Sequence, residues 1–169
     1  MAENISVKCV VDGIDFAKNP ITKYDDIATA EWDEQPLTLR DDVVELVEGD
    51  PTEDEVFSHE EDSPVYYDVA GVGVTATGSF IEATPDQLVT LLGGEKQGTA
   101  FIKSSKKIMV ERPMRFRFKN GGYAIIPRAR GYVLLNMGVG RDGRVKFPFS
   151  FKALAQPGFD CDVIIEQGQ

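Results

Sequence analysis

Period-two alternation in the second half of the chain restricts its fold more than any other feature. In Met114 to Lys119, Phe116 and Phe118 alternate with Arg115, Arg117 and Lys119. In Val145 to Lys152, Phe147, Phe149 and Phe151 occupy every second position. Successive side chains of a strand point to opposite faces, so each segment is expected to bury its aromatics and solvate its charges. One stretch alone carries helix signals. Thr84 suits the N-cap, Pro85 the first helical position and Gln87 the capping box, and Leu88, Leu91 and Leu92 form an apolar stripe. Gly93 and Gly94 are expected to end this helix in a left-handed cap.

The remaining segments read mostly as strands and turns. Ile5 to Phe16 is a strand with a turn or bulge at Asp12 and Gly13, and residues 18–36 are an irregular connection. Leu37 to Arg40 and Val43 to Val47 are two strand pieces. Thr52 to Ser63 is either a loop or a strand exposed on both sides, and Val65 to Ile81 is one extended segment bent at its glycines. Ser105 to Val110 is a weak strand. Asn120, Gly121 and Gly122 make a hairpin turn, and the strands Tyr123 to Pro127 and Tyr132 to Met137 are joined through residues 128–131. Arg141 to Arg144 is a further turn, and Cys161 to Glu166 closes the chain. The expectation is a mainly β (α+β) single domain over residues 1–169: an antiparallel β-sandwich or barrel of roughly eight to ten strands, with one short flanking helix near residues 85–92. At 169 residues and 42% hydrophobic, the chain can bury a core without metal or disulfides.

Charge is sorted along this chain. From Asp25 to Asp62 there are 16 acidic residues and one basic residue, a net of −15. From Lys96 to Lys152 there are 14 basic residues and two acidic ones, a net of +12. Opposite blocks in one small domain point to complementary surfaces that meet copies or partners.

Signals for catalysis and ligand chemistry are weak. His59, the single histidine, sits in an acidic run expected to be solvated loop, and any Ser-His-Asp site would need it. The glycines of residues 71–78 follow a β pattern and open no helix, which fails the dinucleotide context. Residues 49–55 lack the glycine of a calcium loop. Arg and Phe interleave at residues 115–118 as in single-strand binders, but a pI near 4.6 opposes phosphate binding. Cys9 and Cys161 alternate with β-branched neighbours, so two buried thiols are expected; a disulfide between adjacent terminal strands is the alternative. No run of 18 apolar residues exists, and the first ten residues do not form a secretory leader, so cytoplasmic synthesis without a membrane anchor is expected.

Four stretches together resemble a known family. They are the acidic strand-loop-strand of residues 37–71, the strand and capped helix of residues 75–94, the basic hairpin of residues 123–138, and the closing strand of residues 146–165 with its alternating aromatics, a Pro-Gly turn and a final β-strand. Their order and spacing resemble the major tail tube proteins of long-tailed bacteriophages, relatives of the tube proteins of contractile injection and type VI secretion systems. The resemblance implies a β-sandwich with a flanking helix, hexameric rings stacked into a hollow tube, and DNA that passes through without specific binding. It implies no catalysis and no cofactor. Its partners are further copies and other tail proteins such as the tape measure and tail-end proteins, and its place is the virion, with assembly in the host cytoplasm. The alternatives are another ring-forming component (baseplate, tail terminator or secretion tube) or a soluble β-sandwich binding module. A long acidic loop near residues 47–64 is the segment expected to reach a neighbour. The candidate contacts are Glu48, Asp50, Glu53, Asp54, Glu55 and Phe57 on one side, with Arg128, Arg130, Arg141 and Arg144 on the other. A net charge of −10 per copy also suits a lumen that repels phosphates.

Overall fold

The alternating aromatics build the centre of the molecule. The computed structural model describes residues 4, 5 and 8–168. In chain order the elements are β1 (Val11–Ala17), α1 (Asp26–Thr29), β2 (Trp32–Glu34), β3 (Leu37–Thr38), β4 (Glu45–Glu48), β5 (Thr52–Phe57), β6 (Pro64–Ala70) and β7 (Val74–Ile81). Then follow α2 (Pro85–Leu92), β8 (Gly94–Gln97), β9 (Ala100–Lys103), β10 (Val110–Phe118), β11 (Tyr123–Val133), β12 (Asn136–Met137), β13 (Val145–Ala153) and β14 (Ile164–Glu166).

Ten strands form one antiparallel sheet, running β2-β1-β10-β11-β13-β7-β3, with β14 added to β11, β12 to β13 and β4 to β7. The two ends of that path are consecutive in sequence. Residues 32–34 pair with β1, and Gln35 N donates to Ile14 O at 2.9 Å. Three residues later Leu37 and Thr38 pair with β7, and Leu39 N donates to Ser79 O at 3.0 Å. One short segment thus bonds to both margins and folds the sheet over its own core, giving the expected mainly β, sandwich-like architecture.

Phe147, Phe149 and Phe151 of β13 are all buried, with Phe80, Phe16, Ile14, Met114 and Ile126 around them. The rings of Phe80 and Phe149 lie 4.6 Å apart, and those of Phe16 and Phe151 5.4 Å apart. Helix α2 closes the core with Leu88, Leu91 and Leu92. Its capping box is formed: Gln87 N donates to Thr84 Oγ1 at 3.3 Å, and Thr84 N to Gln87 Oε1 at 3.0 Å. Thr84→Ala is therefore expected to cost about 1 kcal/mol, a fall of about 2–4 °C in the melting temperature. Unchanged melting would mean that packing of the leucines alone holds α2. The helix ends differently from expectation. Gly93 has φ 76° with ψ 161°, positive φ with an extended ψ, so the chain turns straight into β8 rather than into a left-handed cap.

Several strand boundaries depart from the sequence reading. β1 starts at Val11, with the expected bulge between Val11 and Gly13. Cys9 lies beyond the ladder and is exposed, while Cys161 is half-buried ahead of β14; neither is in a disulfide with the other. Ser6 and Val7 lie outside the described residues. Residues 18–36 are not wholly irregular, because they hold α1 and β2. The long extended segment breaks into β6 and β7 at residues 71–73, where Gly73 takes φ 90°, a conformation that favours glycine. Residues 105–109 are not a strand; instead β8 and β9 form a hairpin that the sequence reading did not anticipate. Residues 128–131 are no turn. β11 runs unbroken through them, because its first half pairs with β14 and its second half with β13.

Candidate self-assembly interface

The charge blocks meet first within one chain. On the outer face of β1 and β10, Arg115 Nε and Nη2 donate to Asp15 Oδ2 at 2.9 and 2.6 Å, and its guanidinium stacks 4.3 Å from the Trp32 ring. Arg117 Nε lies 2.9 Å from the same oxygen, and its Nη2 donates to Glu34 Oε1 at 3.2 Å. Asp15 is only 2% exposed. The charged face of Met114 to Lys119 is therefore largely a half-buried ion-pair layer rather than the solvated face that alternation suggested. Alternation sets which way a side chain points, not what covers it.

Neighbouring pairs extend this layer. Arg112 Nη2 donates to Asp33 Oδ2 at 2.8 Å, and Lys18 reaches Glu31 and Asp33. The hydrogen bond from Arg112 holds the Asp33 carboxyl below the usual carboxylate range. At the other margin, Lys146 Nζ and Ser79 Oγ donate to Asp42 Oδ2 at 2.8 and 2.6 Å, and these two bonds, Lys146 first, lower its pKa. Residues 31–42 of the acidic block thus neutralise Arg112, Arg117, Arg144 and Lys146 of the basic block, and this happens where the closing segment joins the two margins.

Lowered folded-state pKa values give a sign. Asp33 and Asp42 contribute stability that is fully present above the ordinary aspartate pKa of about 3.9 and is lost as pH falls through their lower folded values. The urea midpoint is expected to fall on acidification below about pH 4, and Asp42→Asn to flatten part of that fall. An identical pH slope in the variant would show that the Lys146 pair does not carry it.

Acidic residues beyond 42 behave differently. Glu45, Glu48, Asp50, Glu53, Asp54, Glu55, Glu60, Glu61 and Asp62 have no ion-pair partner among the described residues. Most of them lie on one feature. The expected loop of residues 47–64 is an arm: β4 pairs with β7 at the main sheet, Gly49 N donates to Gly73 O at 3.0 Å just beyond their ladder, and β5 and β6 continue outward from there as a separate two-stranded ribbon. A strand of this length advances about 20 Å. Every residue of β5 and β6 is exposed, including Phe57 at 56% and Tyr67 at 54%. Val65, Tyr67 and Val69 share one face, while Val56 stands opposite Tyr66 on the other. Tyr67 donates to Glu53 at 3.2 Å across the ribbon. Residues 52–70 carry seven acidic side chains and no lysine or arginine.

The predicted contacts therefore divide. Glu48 ends β4, Asp50 lies in the link, and Glu53, Asp54, Glu55 and Phe57 are exposed along β5. The four arginines are not one patch. Arg128 and Arg130 lie within β11 and flank Glu111, at 2.7 and 3.8 Å, so they are neither a hairpin tip nor free of partners. Arg141 is exposed in the turn between β12 and β13, and Arg144 pairs with Asp41 at 3.1 Å. The apolar residues of β6 were not expected to be part of this surface. Their signal was an apolar pattern in a segment with no partner face. The described surface has open grooves, one of about 560 Å3 beside Leu39, Ile81 and Phe147. His59 is exposed near the arm's end, and among the described residues no three His, Cys, Asp or Glu side chains converge as a metal would need. No helix of the described residues is long and apolar enough to cross a membrane. Compared with protein-family models and with curated proteins, the chain matches none of them.

Proposed function

We propose that this chain is the structural subunit of a bacteriophage tail tube, which assembles as hexameric rings stacked into a hollow conduit for DNA. The observation that carries this reading is the β5–β6 arm. A lone two-stranded ribbon is marginally stable in water, and among the described residues nothing covers the two faces or pairs with the two edges of this one. It also exposes Val56, Phe57, Val65, Tyr66, Tyr67 and Val69 close together. Such an arm makes physical sense when another copy covers it. An arm that meets a different surface of the next copy is a heterologous contact, which closes into rings or continues into stacks. The sandwich with its short flanking helix, and the net charge of −10, agree with the resemblance in the sequence. In this reading the tape measure and tail-end proteins are further partners, the assembled site is the virion, and DNA slides past a lumen of its own charge sign.

Negative-stain images and sedimentation of the purified chain test the proposal. Rings or tubes are expected at low salt, with assembly weakening between roughly 50 and 500 mM salt as the charge contacts are screened. Isolated rings that never stack favour a different ring-forming component. A chain that stays monomeric at high concentration and low salt, or that binds DNA tightly, overturns the tube reading.

A further inference from the structure

The surface that receives the arm is also legible. A groove of about 220 Å3 runs between residues 103–108 and 133–135; Leu92, Ile108, Val133, Leu134 and Leu135 line it together with Lys103 and Lys107. Leu134 and Leu135 are more than two-fifths exposed, and the apolar surface continues through Met137 to Val139, which is 92% exposed. The groove's cations are unusual for this chain. From Gly98 to Val110 there are three lysines, 103, 106 and 107, and no acidic residue. Lys103 donates only to the adjacent Ser104 carbonyl, Lys107 sits 4.4 Å over the Tyr132 ring, and among the described residues no carboxylate pairs with any of the three.

We propose that this groove seats the arm of a second copy. Phe57 and Val65 of the arm cover Leu134 and Leu135, while Glu60, Glu61 and Asp62 at the arm's end meet Lys103, Lys106 and Lys107. The inference rests on the self-assembly reading above and names the surface that completes it. Two complementarities select this pair of surfaces. The arm is apolar and purely acidic, and the groove is apolar and purely basic, so each supplies what the other lacks. Three of the four candidate arginines are less suitable, since Arg128 and Arg130 already share Glu111 and Arg144 holds Asp41, and the fourth, Arg141, stands next to an acidic neighbour, Asp142, in an exposed turn. The occupant is a second copy because β5 and β6 pack on each other and on no other described element of their own chain to any comparable extent.

Charge-swap mixing tests the pairing. One variant carries Lys103→Glu, Lys106→Glu and Lys107→Glu; the other carries Glu60→Lys, Glu61→Lys and Asp62→Lys. Each alone is expected to assemble at least about tenfold less readily by sedimentation, because like charges then face each other. Mixed in equal amounts they are expected to recover most of the parent's assembly, since each arm then finds an oppositely charged groove. Misfolded chains cannot rescue one another, so recovery also controls for folding. If the parent assembles and the groove variant assembles equally well, the groove is not the seat and self-assembly stands on another surface. If both variants are impaired but the mixture gains nothing, the two surfaces do not meet and the pairing is overturned. A parent that never assembles overturns this inference together with the reading beneath it.

Discussion

Replacing residues 49–73 with a two-residue Asn-Gly turn is expected to abolish assembly and leave the sandwich folded. The cut joins Glu48 to Val74, which already face each other in the β4–β7 ladder, so a tight hairpin turn can close the gap. No residue of β5 or β6 belongs to the buried core, so the melting temperature is expected to stay within about 2–3 °C of the parent's, while sedimentation shows monomer at every concentration. The two readouts separate the possibilities. A large loss of stability would mean that the arm supports its own domain. Continued assembly of the shortened chain would remove the arm from the interface and with it the main support for the proposed function.

Asp15→Ala is the substitution expected to damage the domain most for its size. It removes the buried carboxylate shared by Arg115 and Arg117 and leaves two guanidinium groups facing each other beside Trp32. Breaking a buried pair by deleting one partner costs about 3–5 kcal/mol; here the arginines keep some contact with water, so about 2–4 kcal/mol is expected. Denaturant unfolding measures it. Adding Arg115→Met to the variant should recover part of the loss, because one uncompensated charge is then gone. A cost below about 1 kcal/mol would show that both arginines rehydrate freely and that the layer is no more than a surface network.

How far the sequence reaches can be seen in particular elements. Phe147, Phe149 and Phe151 were placed correctly because a strand's period of two leaves no other common face, and β13 lies in mid-sheet where one face is core. Helix α2 was legible because Thr84, Pro85 and Gln87 act on backbone groups within one turn of themselves. Arg128 to Gly131 looked like a turn for equally local reasons, yet β13 and β14 share one edge of β11 and hold it straight. Likewise, nothing near residues 18–36 announces β2, whose pairing with β1 depends on a strand some twenty residues away.

The charge sorting divides in the same way. By itself the sequence determined the sign and size of the two blocks, the β character of the chain, the single capped helix and the inward aromatics, because each depends on composition or on neighbours a few positions apart. The tertiary structure decided what the charges do. Folding the sheet over its core brings residues 31–42 onto Arg112, Arg117, Arg144 and Lys146, so these acids are neutralised in place, and it leaves the acids of the arm with no ion-pair partner among the described residues. Coulomb attraction acts over a few ångströms, and only the closed sheet determines which distant residues come that near.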